Sequence, residues 1–364
     1  MKNFGIETTM QNNKRLLPRI VVTTLTLLFL VAAAPVIAQQ DESVSVDVTA
    51  ADRFAATYNM SNFRYHILPA NTKAGNVALA ARSFGTPFTA HATNVLSPTI
   101  PSVPAPGFYP EDLVYFGGKV LATTTPHAVF VNTSSCGTVT TCWGNPVKFL
   151  SDLSNSTFVH VVDQYVGSTA SNRYAPGSSA SATISLFGSN VVGQNEIFAA
   201  VHAAAKTLGT GYGHMYHVFL PKGVDTCFDL SSVCYSPDNP STFFFCAYHG
   251  SLTFSDIGHV LLSVEPYQNV SGCQAAPPDP NGILADSTNS VLSHEQFESI
   301  TDPDISSWIS DRSLLAAGAE IGDLCEPLGN SSGQFLDPVV HLNGHSYEIQ
   351  LEYSNHYHAC AGAP

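Results

Sequence analysis

Val291-Leu292-Ser293-His294-Glu295-Gln296-Phe297-Glu298-Ser299-Ile300 runs directly into Thr301-Asp302-Pro303. Leu292 and Phe297 can face a core, Asp286 or Ser287 can cap the start, and Pro303 forbids continuation, so the segment is predicted to be a helix. Helical periodicity then sets His294 and Glu298 one turn apart on one face, where an imidazole and a carboxylate can share a divalent ion. Glu295 stands beside them as a candidate general base. Downstream, Glu320-Ile321-Gly322-Asp323-Leu324-Cys325 offers Glu320 or Asp323 as a third protein ligand. The structural alternative is a buried hydrogen-bond network around His294, with Glu320 and Asp323 capping loops.

Around this helix, short β-type runs recur at 128–132, 157–162, 214–220, 242–248 and 259–264. Between them lie helical patterns. Pro146 follows Asn145, a favoured N-cap with proline at the first helical position. Residues 194–208 place Ile197, Val201, Ala204 and Leu208 on one stripe and end at Gly209. Strands alternating with helices and hairpins indicate an α/β or α+β fold, a mixed sheet with packed helices. Residues 39–108 read differently, as a polar N-terminal arm ending in the Pro-rich stretch 98–106, which fixes φ and withholds backbone donors. On this reading the globular domain spans 109–364.

His294-Glu295-x-x-Glu298 resembles the zincin signature H-E-x-x-H with its second histidine replaced by glutamate. The resemblance implies a zincin-like arrangement of helix on sheet. One histidine with two acids is a harder donor set than two histidines with one acid, so zinc or another divalent ion is expected.

Lys2, Lys14, Arg15 and Arg19 precede an apolar run from Ile20 to Ala34, and Val36-Ile37-Ala38 has the small-residue pattern of a cleavage site. Residues 1–38 are therefore expected to be an export signal, and the run is shorter than the roughly 20 apolar residues a bilayer span needs. The whole chain carries a net charge of −14, and without residues 1–38 the remainder has 10 basic and 27 acidic side chains. With no cluster of Lys and Arg, neither nucleic acid nor an anionic membrane is expected as a partner. Secretion to the extracellular space, periplasm or cell wall is the expected destination. Oligomeric state is not legible.

All eight cysteines follow residue 38, and an even number in an oxidising compartment argues for disulfides. Proximity favours Cys136 with Cys142, Cys227 with Cys234, Cys246 with Cys273, and Cys325 with Cys360, although eight cysteines allow 105 pairings. No C-x-x-C knuckle supports a cysteine zinc site.

Other histidines have plainer readings. His214 and His217 fall on opposite faces of a strand and cannot both bind one ion. His249 follows a hydrophobic strand end and reads first as a turn residue, second as a fourth ligand or substrate contact. His341 and His345 flank Asn343-Gly344, the signal of a β-hairpin.

Phe245-Cys246-Ala247-Tyr248-His249-Gly250, Cys273, Pro280 to Gly282, Thr301-Asp302-Pro303, Trp308, the cluster from Glu320 to Cys325 and Cys360 together resemble the EXORDIUM or phosphate-induced protein family, over roughly residues 112–361. The resemblance implies a secreted, disulfide-bonded protein of the cell wall or extracellular space, and it implies no reaction.

Three classes of function follow, one of them a structural or signalling module in which a metal only staples the loop from Thr301 to Cys325. With a metal on His294, Glu298 and Glu320 or Asp323, a bound water deprotonated by Glu295 would hydrolyse a peptide or other amide, from a peptide or cell-wall polymer. The alternative is a non-catalytic extracellular or wall-associated binding protein that stacks exposed aromatics on carbohydrate. No G-x-S-x-G elbow supports a serine nucleophile.

Overall fold

The structure is a computed structural model that describes residues 43–59, 62–72, 74–75, 112–186, 190–228, 233–310, 319–326 and 329–364. The expected export signal and the Pro-rich stretch 98–106 lie outside the described residues.

A seven-stranded mixed sheet organises the molecule: β1 (Val44–Val46), β2 (Arg64–Pro69), β3 (Thr125–Val131), β4 (Ala180–Ala182), β5 (His214–Phe219), β6 (Phe245–Phe254) and β7 (Gly258–Glu265). The spatial order is β1-β4-β3-β5-β7-β6-β2. From β1 to β7 neighbours run parallel, and β6 then pairs antiparallel with both β7 and β2. Two of these strands, β1 and β2, come from the segment read as an arm, and helix α1 (Ala50–Asn59) lies between them. For residues 44–69 that reading is corrected, because backbone pairing and burial make them part of the domain.

Side chains alternate across the pleat. On β3, Val129 and Val131 join one core cluster and Ala128 and Phe130 the other. The first cluster is covered by α1 and by α3 (Gln194–Leu208), which ends at Gly209 as its sequence indicates. The second is covered by α2 (Pro146–Ser154) and α4 (Ile283–Thr301). Asn145 caps α2 by accepting from the Lys148 N–H. The result is three layers, helix on sheet on helix.

Two local expectations are corrected. Residues 158–162 form a 3-10 helix rather than a strand, with Phe158, Val159, Val161 and Val162 all buried against the second core. Their β-branched bias favours a strand, but packing beside α4 decides the conformation. Helix α4 begins after Gly282, where its sequence segment starts, but neither Asp286 nor Ser287 is its N-cap; Asp286 lies within the helix and accepts from the Asn281 backbone and side-chain amides. The hairpin at Asn343-Gly344 is present, with φ of 46° and 84° at the two turn residues as a primed turn requires.

Four disulfides join the cysteines in the four proximity pairs. They are consistent with an extracellular protein. Among the described residues, no helix is long and apolar enough to cross a membrane.

Candidate metal centre

Helix α4 is buried continuously from Asp286 to Thr301, although most of those side chains are polar. An apolar stripe would suffice to dock a helix on a sheet. Burying Ser, Thr, Asn, His and Glu on every side costs free energy unless each finds a partner. Several do: Ser287 and Thr288 donate back to the carbonyls of Ile283 and Leu284, and Ser290 donates to Asp337. Glu295 Oε1 and Glu298 Oε2 are among the atoms that do not.

Beneath α4, the sheet register lines up His66 of β2, His249 of β6, Ser263 of β7 and His217 of β5 as successive cross-strand partners. His249 lies within β6 rather than at a strand end. The close approach of β2 that brings His66 opposite it depends on Gly250, where a Cβ would lie 1.9 Å from the Arg64 carbonyl oxygen.

Onto this row α4 lowers its acids. His249 Nδ1 stands 3.2 Å from Glu295 Oε2 and 3.4 Å from Glu298 Oε2. The other oxygen of Glu298 meets His294 Nε2 at 3.1 Å and accepts from the Asp323 N–H at 3.2 Å. His66 Nε2 lies 2.7 Å from Asp323 Oδ2. Glu320 turns one oxygen to His66 Nδ1 at 3.4 Å and the other to His249 Nε2 at 3.5 Å. Among the described residues neither finds a hydrogen-bond donor of good geometry, and Glu295 Oε1 likewise has no hydrogen-bond partner there.

Two groups of residues here could hold a metal ion: His249 with Glu295 and Glu298, and His66 with Glu298 and Asp323. Every one of these side chains is buried. Of the residues singled out in the sequence, Glu295, Glu298, Glu320 and Asp323 converge on one centre. His294 touches that centre from one side, through Glu298, and turns Nδ1 toward Gln350 Oε1 at 3.2 Å. The loop reaches His294 because position 322 is glycine, where a Cβ would stand 2.5 Å from His294 Nδ1.

Sequence reasoning missed His66 and ranked His249 as a turn residue. The signal for His66 was the run Arg64-Tyr65-His66-Ile67-Leu68 before Pro69, aromatic and aliphatic enough for a strand.

Electrostatics follow from burial. Glu295 is raised to about 7, burial outweighing the neighbouring imidazoles. Burial acts on Glu298 in the same direction, but His294 and His249 hold it below the usual carboxylate range. Glu320 is pushed well up by burial and by Asp302, Glu298 and Asp323 around it. Asp302 is raised to about 7 by burial despite two backbone donors, from Ser306 and Ser307. Burial alone would lower His249, yet Glu295 and Glu298 raise it to about 10. Carboxylates thus outnumber imidazoles in a volume without bulk water, and the deficit of positive charge is what a cation or shared protons would supply.

No family model, curated protein or solved structure matches this chain.

Proposed function

We propose that this chain is a secreted metalloprotein of EXORDIUM type that uses a divalent ion on His249, Glu298 and Glu295 to hydrolyse a peptide or other amide bond. The observation that carries the reading is the attitude of Glu295. One of its oxygens faces His249 and the other, buried, has no hydrogen-bond partner among the described residues. Oε2 would help hold the ion, which would supply an activated water, and Oε1 would be the base that accepts the proton of that water. His294 acts as a positioning residue, holding Glu298 from the side opposite His249. Zinc fits such nitrogen and oxygen donors, and so do harder ions such as manganese, since each histidine is outnumbered by acids.

A second reading, in which the ion only staples residues 319–325 onto α4, is favoured by the complete burial of His249, Glu295 and Glu298. Glu295→Gln separates the two. Because Glu295 is also a ligand, the variant is compared at saturating ion and matched metal content: hydrolysis of a peptide and amide library by the wild type, lost in the variant under those conditions, supports catalysis. Wild-type protein that holds metal and cleaves nothing supports the staple.

A further inference from the structure

We infer that the centre holds two divalent ions rather than one, bridged by Glu298. This rests on the metal-binding reading above but asks something further of the chain. The two candidate donor groups share only Glu298. Its two oxygens face different neighbours: Oε2 points to His249 Nδ1, while Oε1 accepts from the Asp323 backbone N–H and lies 3.1 Å from His294 Nε2. Glu298, common to both groups, is the carboxylate that would bridge the two cations.

Glu320 supplies an independent observation. It is fully buried, and among the described residues its oxygens find no hydrogen-bond donor of good geometry. Each nevertheless faces a different histidine, at the nitrogen turned away from that histidine's donor group: Nδ1 of His66, whose Nε2 faces Asp323, and Nε2 of His249, whose Nδ1 faces Glu295 and Glu298. A metal-bound imidazole commonly donates its remaining N–H to a carboxylate, which fixes its tautomer and orientation. Glu320 lies within 3.5 Å of both such nitrogens, on rings whose centroids are 6.0 Å apart, and at His249 Nε2 it shares the place with the Asp302 carbonyl oxygen at 3.4 Å.

One ion would sit on His249, Glu295 and Glu298, the other on His66, Asp323 and Glu298, each with one nitrogen and two carboxylates. A pair of ions roughly 3.5–4 Å apart can clamp the attacking water and the substrate oxygen together.

The test is native mass spectrometry of the disulfide-intact mature protein, stripped with chelator and reconstituted with zinc or manganese. Two bound ions are expected in the wild type and one each in His66→Ala and His249→Ala. The milder Asp323→Asn, expected to lose one ion, serves if an alanine variant does not fold. Manganese-loaded wild type should also show the exchange-coupled paramagnetic resonance signal of a metal pair. A single ion in the wild type, retained by His66→Ala and Asp323→Asn and lost in His249→Ala, overturns the pair and leaves the one-ion reading standing. No bound ion in the wild type overturns both.

Discussion

Replacing Gly250 with alanine tests whether strand β2, and with it His66, belongs to the centre. A Cβ at this position would lie 1.9 Å from the Arg64 carbonyl oxygen and 2.9 Å from Tyr65 Cα, both backbone atoms with no rotamer to escape into. To restore even a tight contact, β2 must move by at least about 1 Å, which carries neighbouring N–H···O bonds beyond about 3.2 Å. The disturbed register pairs are Gly250 with Tyr65 and, next to it, His249 with His66. Forcing atoms into a packed site costs about 1–3 kcal/mol. In a domain of this size that corresponds to a fall in Tm of about 2–6 °C. Hydrogen exchange of 64–69 should accelerate selectively, and the donor group that contains His66 should bind metal more weakly than the one that contains Glu295. The assay is a thermal melt paired with hydrogen-exchange mass spectrometry. A variant with unchanged Tm and unchanged protection of β2 would refute the placement of His66 opposite His249.

Asp52 governs an acid-sensitive contact remote from the centre. Burial raises its carboxyl, but donation from Thr49, His202 and Lys206 outweighs burial and lowers it to about 2. Because the folded value is depressed, the stability it contributes is present above about pH 4 and is lost as pH falls through about 2. The wild type should therefore exceed Asp52→Asn in urea midpoint at pH 6, with the gap closing by pH 2; a gap independent of pH would contradict this. Cys325 and Cys360 tie the segment that bears Asp323 to the C-terminal strand pair across a separation of 35 residues. Serine at both positions should lower stability by about 2–5 kcal/mol. Metal binding should weaken in the same double variant, and an unchanged denaturation midpoint would show that this disulfide does not support the loop.

Local signals carried much of the fold. Asn145-Pro146 capped a helix, Gly209 closed another, and Asn343-Gly344 turned a hairpin, because each depends on backbone preferences that neighbouring residues alone decide. The helix with His294, Glu295 and Glu298 was equally legible, since periodicity needs no tertiary contact. His66 was not, because its role arises from pairing with a strand some 180 residues away. Register between distant strands leaves no local mark beyond a short apolar run. His249 was undervalued for a related reason: whether a strand ends at residue 248 or continues to 254 depends on β7 and β2 beside it. Residues 158–162 show the converse, a strand-like composition bent into a 3-10 helix to fill space next to α4.

The central claim, that this buried cluster is a metal centre, is most directly tested by a crystal of the mature protein grown with zinc and measured on both sides of the zinc absorption edge. Anomalous density is expected about 2.0–2.2 Å from a Glu298 carboxylate oxygen and from His249 Nδ1. A centre free of anomalous density at full zinc saturation, with the imidazoles and carboxylates bonded only to one another, would contradict it.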